Sequence, residues 1–270
     1  MDEDEHPLRR WATLPLRGAR SRSRGLEGAR RPPGELREPG TLQDPGELQD
    51  LRKVRADFDR LACLSEDGWD HNAQYHGFLL GRLPRRCRLA LDVGCGTGGF
   101  ARLLAGRCDR VLGVDLAPRM VEVARARSGG RPNLDYLVAD ATTWPFRPAR
   151  FDCVASIAAA HHLPLVPLLA RMAAAAPGGT LLVLDIYRPR RPADLALSLL
   201  AVPGSRLLRL RHTGRLAEPA KLRRAWEEHG RTDRYLTLAE VRAACARVLP
   251  GARVRRHLLW RYSVVWRRPG

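Results

Sequence analysis

The sequence contains almost no lysine. Of its 47 basic residues only Lys53 and Lys221 are lysine, and the remaining 45 are arginine. This imbalance, together with abundant alanine, leucine, glycine and proline, indicates a GC-rich coding bias. Part of the net charge of +18 therefore reflects composition and not function.

Paired cysteine motifs, long apolar runs and a secretory signal are also lacking. None of the six cysteines forms a CxxC motif, so neither a zinc site nor a redox motif is expected. A disulfide framework is not expected at this chain length either, which favours a reducing, cytoplasmic compartment. The longest uncharged run, 153–170, contains two prolines and two histidines and predicts a strand followed by a helix, so no membrane span is expected. Acidic residues at positions 2–5 carry the wrong charge for the start of a secretory signal.

Charge is distributed unevenly along the chain. Residues 1–50 carry a net charge of −1, residues 51–187 carry +5 and residues 188–270 carry +14. Because residues 1–50 are rich in Arg, Gly, Pro and Glu and show no apolar period, they are predicted to form a disordered leader. Residues 51–270 are predicted to form the folded domain, and its positive field lies in the last third of the chain.

From residue 51 onward, helical and strand-like segments alternate. Helices are predicted at 51–62, 70–83, 98–106, 118–127, 163–175 and 237–249, the last with a capping box of Thr237 and Glu240. Strands are predicted at 88–93, 110–115, 134–140, 151–157 and 180–187, and a terminal hairpin at 251–268. This alternation is typical of βαβ units. The predicted fold class is therefore α/β, with a doubly wound, mostly parallel sheet and helices on both faces.

The strongest motif is Leu-Asp-Val-Gly-Cys-Gly-Thr-Gly-Gly at 91–99. Glycine is required where a strand turns sharply into a helix and the backbone approaches a ligand closely. Gly94, Gly96 and Gly99 also satisfy G-x-G-x-x-G, so this pattern alone leaves a dinucleotide-binding fold open.

Three acidic residues near the ends of the first three strands give further information about the ligand. Asp92 stands two residues before the first glycine, where a carboxylate can face a cationic group. Asp115 ends the second strand, where it can accept hydrogen bonds from ribose hydroxyls. Asp140 ends the third strand, at the rim where an adenine edge would lie, and its alternative role is a helix N-cap.

This set of residues resembles the class I S-adenosylmethionine-dependent methyltransferases. The resemblance covers 70–270 and rests on 91–99, Asp115, the Asp140-Ala141 pair and the Pro-Gly-Gly turn at 177–179. It implies a seven-stranded sheet of order 3-2-1-4-5-7-6 with strand 7 antiparallel, and S-adenosyl-L-methionine as the cofactor. Within the superfamily, the chain looks most like the small-molecule group that includes the ubiquinone and menaquinone C-methyltransferases.

The resemblance also implies which residues bind the cofactor. They are Asp92, Gly94, Cys95, Gly96, Asp115, Leu116, Met120, Asp140, Ala141 and Ser156. Two of them have a structural alternative, since Met120 can pack its helix against the sheet and Cys95 is more typical of a small filler than of a nucleophile. No metal site is expected.

Candidate catalytic residues are His161, His162 and Tyr75. The two histidines follow strand 4, at the edge where ligands of open α/β sheets bind, so either could remove a proton from the acceptor. The alternative is that one imidazole caps the next helix and the other shapes the pocket. Tyr75 shares a helix face with His71, and a tyrosine of the family's N-terminal helix can line the active site. The alternative is that Tyr75 has only a structural role in a buried amphipathic helix.

Residues 188–231 interrupt the alternation with 11 basic and 4 acidic side chains. In the family this position commonly carries a substrate cover. The segment is therefore interpreted either as an amphipathic lid over an apolar or anionic acceptor, or as a solvated helical face.

The expected function is transfer of a methyl group from S-adenosyl-L-methionine to a small organic acceptor. A tRNA or other nucleic-acid methyltransferase is the second interpretation, favoured by the charge of 188–270, although no RNA-binding module is recognised. A catalytically silent cofactor-binding or interaction protein is the third.

Overall fold

The computed structural model describes residues 45–64, 69–146, 151–190, 192–231 and 233–268. The chain divides into two units, Met1–Leu48 and Gln49–Gly270, and the sheet and the site lie in the second. Residues 1–44 of the predicted leader lie outside the described residues. A helix begins at Pro45, before the predicted boundary at residue 51.

Seven strands form one sheet in the described part of the chain. They are β1 (Leu89–Val93), β2 (Arg110–Asp115), β3 (Leu134–Val138), β4 (Cys153–Ile157), β5 (Thr180–Ile186), β6 (Arg253–Arg256) and β7 (Arg261–Arg267). Their order is β3-β2-β1-β4-β5-β7-β6, with β1 to β5 parallel and β7 antiparallel to both of its neighbours. The predicted strand order and the antiparallel seventh strand are confirmed.

Two helices of the described ranges precede β1, and the other helices lie between strands. The helices are α1 (Pro45–Leu64), α2 (Ala73–Leu80), α3 (Gly99–Ala105), α4 (Pro118–Arg127), α5 (Leu165–Ala175), α6 (Pro192–Thr213), α7 (Ala220–Gly230) and α8 (Leu238–Val248). A short 3-10 turn, Ala160–His162, follows β4. The basic segment 188–231 folds mainly as α6 and α7. Among the described residues, no helix combines the length and the apolar character needed to cross a membrane.

The central strands are buried on both faces, which explains their continuous apolar sequences. β1 is buried along its whole length, and β5 is buried except at Ile186. Helices α3 and α4 pack on the β1–β3 side, whereas α5 packs against β4 and α8. Because β1 to β5 are parallel, the loops that follow them meet at one edge of the sheet, where a ligand site is expected.

The ends of some elements differ from the prediction by a few residues. The helix predicted from residue 70 begins at Ala73, because the Asp70 carboxylate accepts the N–H groups of Asn72 and Ala73 and holds a turn before it. The predicted capping box is present at the start of α8. There the Thr237 hydroxyl accepts the Glu240 N–H, and the Glu240 carboxylate accepts the Thr237 N–H at 2.7 Å.

Candidate active site

The turn between β1 and α3 has a backbone conformation that glycine adopts without strain. Gly94 has a φ of +70° and Gly96 a φ of +51°. A Cβ on Gly94 would lie 2.3 Å from the Cβ of Ala159, so the loop after β4 approaches this turn too closely for a side chain. The N–H groups of Gly94 and Cys95 both donate to the carbonyl of Val114, which ties the turn to β2.

Asp115 joins the end of β2 to this turn. Its carboxylate accepts the Gly96 N–H at 2.8 Å and the Ala117 N–H at 2.9 Å. Since a carboxylate offers about four lone-pair positions, it can accept two further hydrogen bonds from a ligand. Burial raises the pKa of Asp115 in spite of the amide hydrogen bonds.

Asp92 is a buried carboxylate that lacks a donor. Its side chain is 1% exposed, and neither oxygen has a hydrogen-bond partner within the described ranges of the chain. Burial, and then the nearby charge of Asp115, raise the pKa of Asp92 to about 7. The nearby Ala101 N–H acts in the opposite direction and lowers this pKa. A ligand that brings hydrogen-bond donors or positive charge would stabilise this group.

A cavity of about 580 Å³ opens beside these carboxylates. Nine of the ten predicted cofactor-binding residues line it: Asp92, Gly94, Cys95, Gly96, Asp115, Leu116, Met120, Asp140 and Ala141. The tenth, Ser156, is fully buried within β4 and does not line the cavity. Asp140 lines the cavity, and its carboxylate accepts the N–H and the hydroxyl of Thr142, each at 2.7 Å, in a turn and not at the start of a helix.

The opposite wall of the cavity comes from α1, α6, α7 and the segment before α2. Phe58, Trp69, Arg209, Leu222 and Trp226 line it. The sequence analysis missed Phe58, Leu222 and Trp226, because an apolar residue on an amphipathic helix carries no signal that separates a pocket wall from a core. The basic segment does lie over the cavity, as one of its two interpretations requires.

The three candidate catalytic residues differ in their position relative to the cavity. His162 lines the cavity, whereas His161 lies behind it and Tyr75 lies outside it. The Tyr75 hydroxyl donates to the carbonyl of Leu258 at 2.6 Å, and its neighbour His76 lines the cavity instead.

His161 and His162 differ sharply in their electrostatic surroundings. Burial opposes protonation of His161, but the Asp185 carboxylate, 2.6 Å from Nδ1, outweighs it and raises the pKa of the imidazole. Burial, together with the nearby His161 and His229, lowers the pKa of His162 to about 2. An imidazole held neutral so strongly is a poor proton acceptor at neutral pH.

Comparison with known proteins bears directly on this site. Residues 91–183 match the family model described as a methyltransferase domain. An uncharacterized methyltransferase of Mycobacterium tuberculosis is 32% identical over 203 residues, which cover 74% of this chain and 98% of the relative. The chain belongs to the class I S-adenosylmethionine-dependent methyltransferases. The predicted family and enzyme class are therefore confirmed, and the interpretation as a catalytically silent protein is set aside.

Solved methyltransferase structures share this fold. The N-methyltransferase NodS of Bradyrhizobium japonicum, solved with S-adenosyl-L-homocysteine, has a TM-score of 0.54 at 17% identity, over 80% of this chain and 99% of that chain. Magnesium protoporphyrin IX methyltransferase of Synechocystis, solved with bound S-adenosylmethionine, has a TM-score of 0.53 at 16% identity, over 82% and 97%. At these identities the similarity concerns the fold.

The methyltransferase cofactor fits the chemistry of the cavity. S-adenosylmethionine brings two ribose hydroxyls, an ammonium group and a sulfonium charge. Asp115 retains free lone pairs for hydroxyl donors, and Asp92, buried beside a second carboxylate, has no hydrogen-bond partner in the described part of the chain. Donors and positive charge are what these two groups need to be stable when ionised.

Proposed function

We propose that this methyltransferase transfers the methyl group of S-adenosylmethionine to a small organic acceptor. The observation that carries the proposal is a single cavity that the glycine turn and the strand ends line on one side, and α1, α6 and α7 on the other. Its volume of about 580 Å³ lies in the range of small-molecule sites.

The names of further relatives support an acceptor of this class. A 2-phytyl-1,4-naphtoquinone methyltransferase of Thermosynechococcus vestitus is 36% identical over 109 residues, 38% of this chain and 48% of that protein. A trans-aconitate 2-methyltransferase of Streptomyces avermitilis is 39% identical over 123 residues, 42% of this chain and 45% of that protein. An apolar quinone and an anionic acid are the two kinds of acceptor expected under a basic, amphipathic cover.

The proposed roles of the residues follow from where they lie. The residues that line the glycine turn and the ends of β1 to β3 hold the cofactor, with Asp115 on the ribose and Asp92 facing its positive charge. When bound, the cofactor supplies a methyl group already activated by the sulfonium. The chain then acts by alignment and by exclusion of water, for which Phe58 and Trp226 provide an apolar wall. Neutral His162 shapes the acceptor side, and a base role for His161, His162 or Tyr75 stays a prediction.

A cytoplasmic location is part of the same proposal. All six cysteines are free thiols, and five of them are buried. Thiols without partners are typical of a reducing compartment.

Nucleic acid remains the second candidate acceptor because of the charge on the cover. Arg206, Arg211 and Arg215 are exposed, whereas Arg209 pairs with Glu218 and lies over the ring of Trp69. Three exposed arginines along one segment could contact phosphates.

The test is transfer of label from methyl-labelled S-adenosylmethionine into a small-molecule extract and into total RNA, across a salt series. We expect label in the small-molecule fraction, with a weak dependence on salt. Arg206→Glu/Arg211→Glu is the matched variant, since both side chains are exposed, and it should retain activity. Label in RNA that falls with salt at a slope near −0.7 per neutralised phosphate, and is lost in this variant, would replace the proposal with the second candidate.

A further inference from the structure

Next to the part of the cavity that His162 lines, the Asp233 carboxylate is surrounded by three imidazoles. Asp233 Oδ2 lies 3.8 Å from His161 Nε2, and Asp233 Oδ1 lies 3.5 Å from His162 Nδ1 and 3.7 Å from His229 Nε2. All four side chains are more than nine-tenths buried. One nitrogen or oxygen atom from each of His161, His162 and Asp233 lies within 4.8 Å of the other two.

These distances do not describe hydrogen bonds. A hydrogen bond between nitrogen and oxygen spans about 2.7–3.2 Å, so none of the three imidazoles is bonded to Asp233. Two ligands held about 2.0–2.1 Å from a tetrahedral ion lie roughly 3.3–3.4 Å apart. The imidazole–carboxylate separations therefore exceed the spacing of ligands on a shared metal ion by only a few tenths of an ångström.

The far sides of two imidazoles are already fixed by other carboxylates. His161 Nδ1 lies 2.6 Å from Asp185 Oδ1, and His229 Nδ1 lies 3.2 Å from Asp57 Oδ2. Metal-bound histidines usually donate their second N–H to such a carboxylate, which leaves the other nitrogen free for the ion. His162 faces Asp233 through Nδ1, and its other nitrogen, Nε2, is buried with no hydrogen-bond partner among the described residues.

Charge balance points in the same direction. Asp57, Asp185 and Asp233 are three carboxylates around one buried cluster. Lys53 and Arg60 pair with Asp57, and Asp185 accepts the His161 and Ile186 N–H groups, whereas Asp233 accepts the neutral Tyr235 hydroxyl at 2.7 Å. Buried negative charge is costly unless a cation or a set of donors compensates it. A divalent ion between the imidazoles and Asp233 would supply that compensation.

We propose that His161, His162 and Asp233 bind a divalent first-row transition-metal ion. Two imidazole nitrogens and one carboxylate oxygen form a ligand set suited to zinc, with a fourth position left open. Because His162 lines the cavity, an ion bound here would lie next to the acceptor side. His229 flanks the ion, and Asp185 orients His161. Metal binding in this proposal does not depend on the identity of the methyl acceptor.

The test is titration of the tag-free, chelator-treated full-length protein with Co²⁺, followed by the visible absorption of the bound ion and by competition with Zn²⁺. We expect one equivalent to bind. Asp233→Asn and His162→Gln should each weaken binding by at least about tenfold, and Asp185→Asn by about 10- to 100-fold. His257→Gln is the control, since His257 is partly buried and lies 2.7 Å from the Ser263 hydroxyl, and it should bind as the wild type does.

X-ray absorption of the wild-type Zn²⁺ complex tests the ligand set without any variant, so the result does not depend on whether a variant folds. Two imidazole nitrogens and oxygen ligands at about 2.0–2.1 Å are expected. Absence of stoichiometric binding, a sulfur-containing ligand shell, or equal affinity in folded Asp233→Asn and His257→Gln would each overturn the proposal.

Discussion

Replacing Gly94 with alanine tests whether the loop after β4 fixes the conformation of the cofactor turn. The φ of +70° is left-handed, a conformation that costs a residue with a side chain about 1–2 kcal/mol. The new Cβ would also lie 2.3 Å from the Cβ of Ala159, and overpacking of this kind costs about 1–3 kcal/mol. Since the two costs have separate origins, the free energy of unfolding should fall by about 2–5 kcal/mol.

Gly96 provides a matched control within the same turn. Its φ is +51°, but a Cβ there would meet nothing within 4 Å. Gly96→Ala should therefore show only the conformational cost, about 1–2 kcal/mol. In Gly94→Ala/Ala159→Gly the clash is removed and the strain remains, so its stability should approach that of Gly96→Ala once the effect of Ala159→Gly alone is subtracted.

The assay is equilibrium urea unfolding of each full-length variant without cofactor, compared at a common m value. Equal losses for Gly94→Ala and Gly96→Ala would show that Ala159 does not press on the turn. Failure of Ala159→Gly to recover stability in the double variant would refute the reasoning in the same way.

Two further predictions concern the carboxylates of the cavity. Asp115→Ala should weaken S-adenosylmethionine binding by about 2–4 kcal/mol, roughly 30- to 1000-fold, because in the proposed role Asp115 accepts two ribose hydroxyls; calorimetry showing unchanged affinity would contradict this role. The pKa of Asp92 is raised from 3.8 to about 7, so between these values the native state holds a proton that the unfolded state has released. Stability without cofactor should therefore fall as pH rises from about 4 to 7, and Asp92→Asn should flatten this dependence; identical pH profiles for the two proteins would contradict the assignment.

The sheet could be predicted because its strands carry strong local signals. Each central strand is a short apolar run bounded by turn residues, and the Asp-x-Gly-x-Gly pattern marks the first strand and its turn together. The ends of the helices were less predictable because individual side-chain hydrogen bonds determine them. Before α2, for example, the Asp70 carboxylate accepts the N–H groups of Asn72 and Ala73. The left-handed residue before α3 is Gly98, with a φ of +78°, which the G-x-G-x-x-G spacing does not single out.

The histidine cluster could be predicted only in part. His161 and His162 are candidates from the sequence because they follow β4. Asp185 can also be recognised, since it is the one charged residue of an apolar strand. His229 and Asp57 are 172 residues apart in sequence, and no local pattern relates them. Tertiary folding brings α1 and α7 together, so the contact between His229 and Asp57 is visible only in three dimensions.

The position of β7 within the sheet has a consequence for how the protein folds. β7 lies between β5 and β6, yet three helices separate it from β5 along the chain. Closing so long a loop is slow compared with forming the local β6–β7 hairpin, so we expect the hairpin to form first and to dock as a unit. Until it docks, the apolar edge of β5 at 181–184 is open to pairing with other chains. Refolding at high protein concentration should therefore lose more material to aggregation than refolding at low concentration.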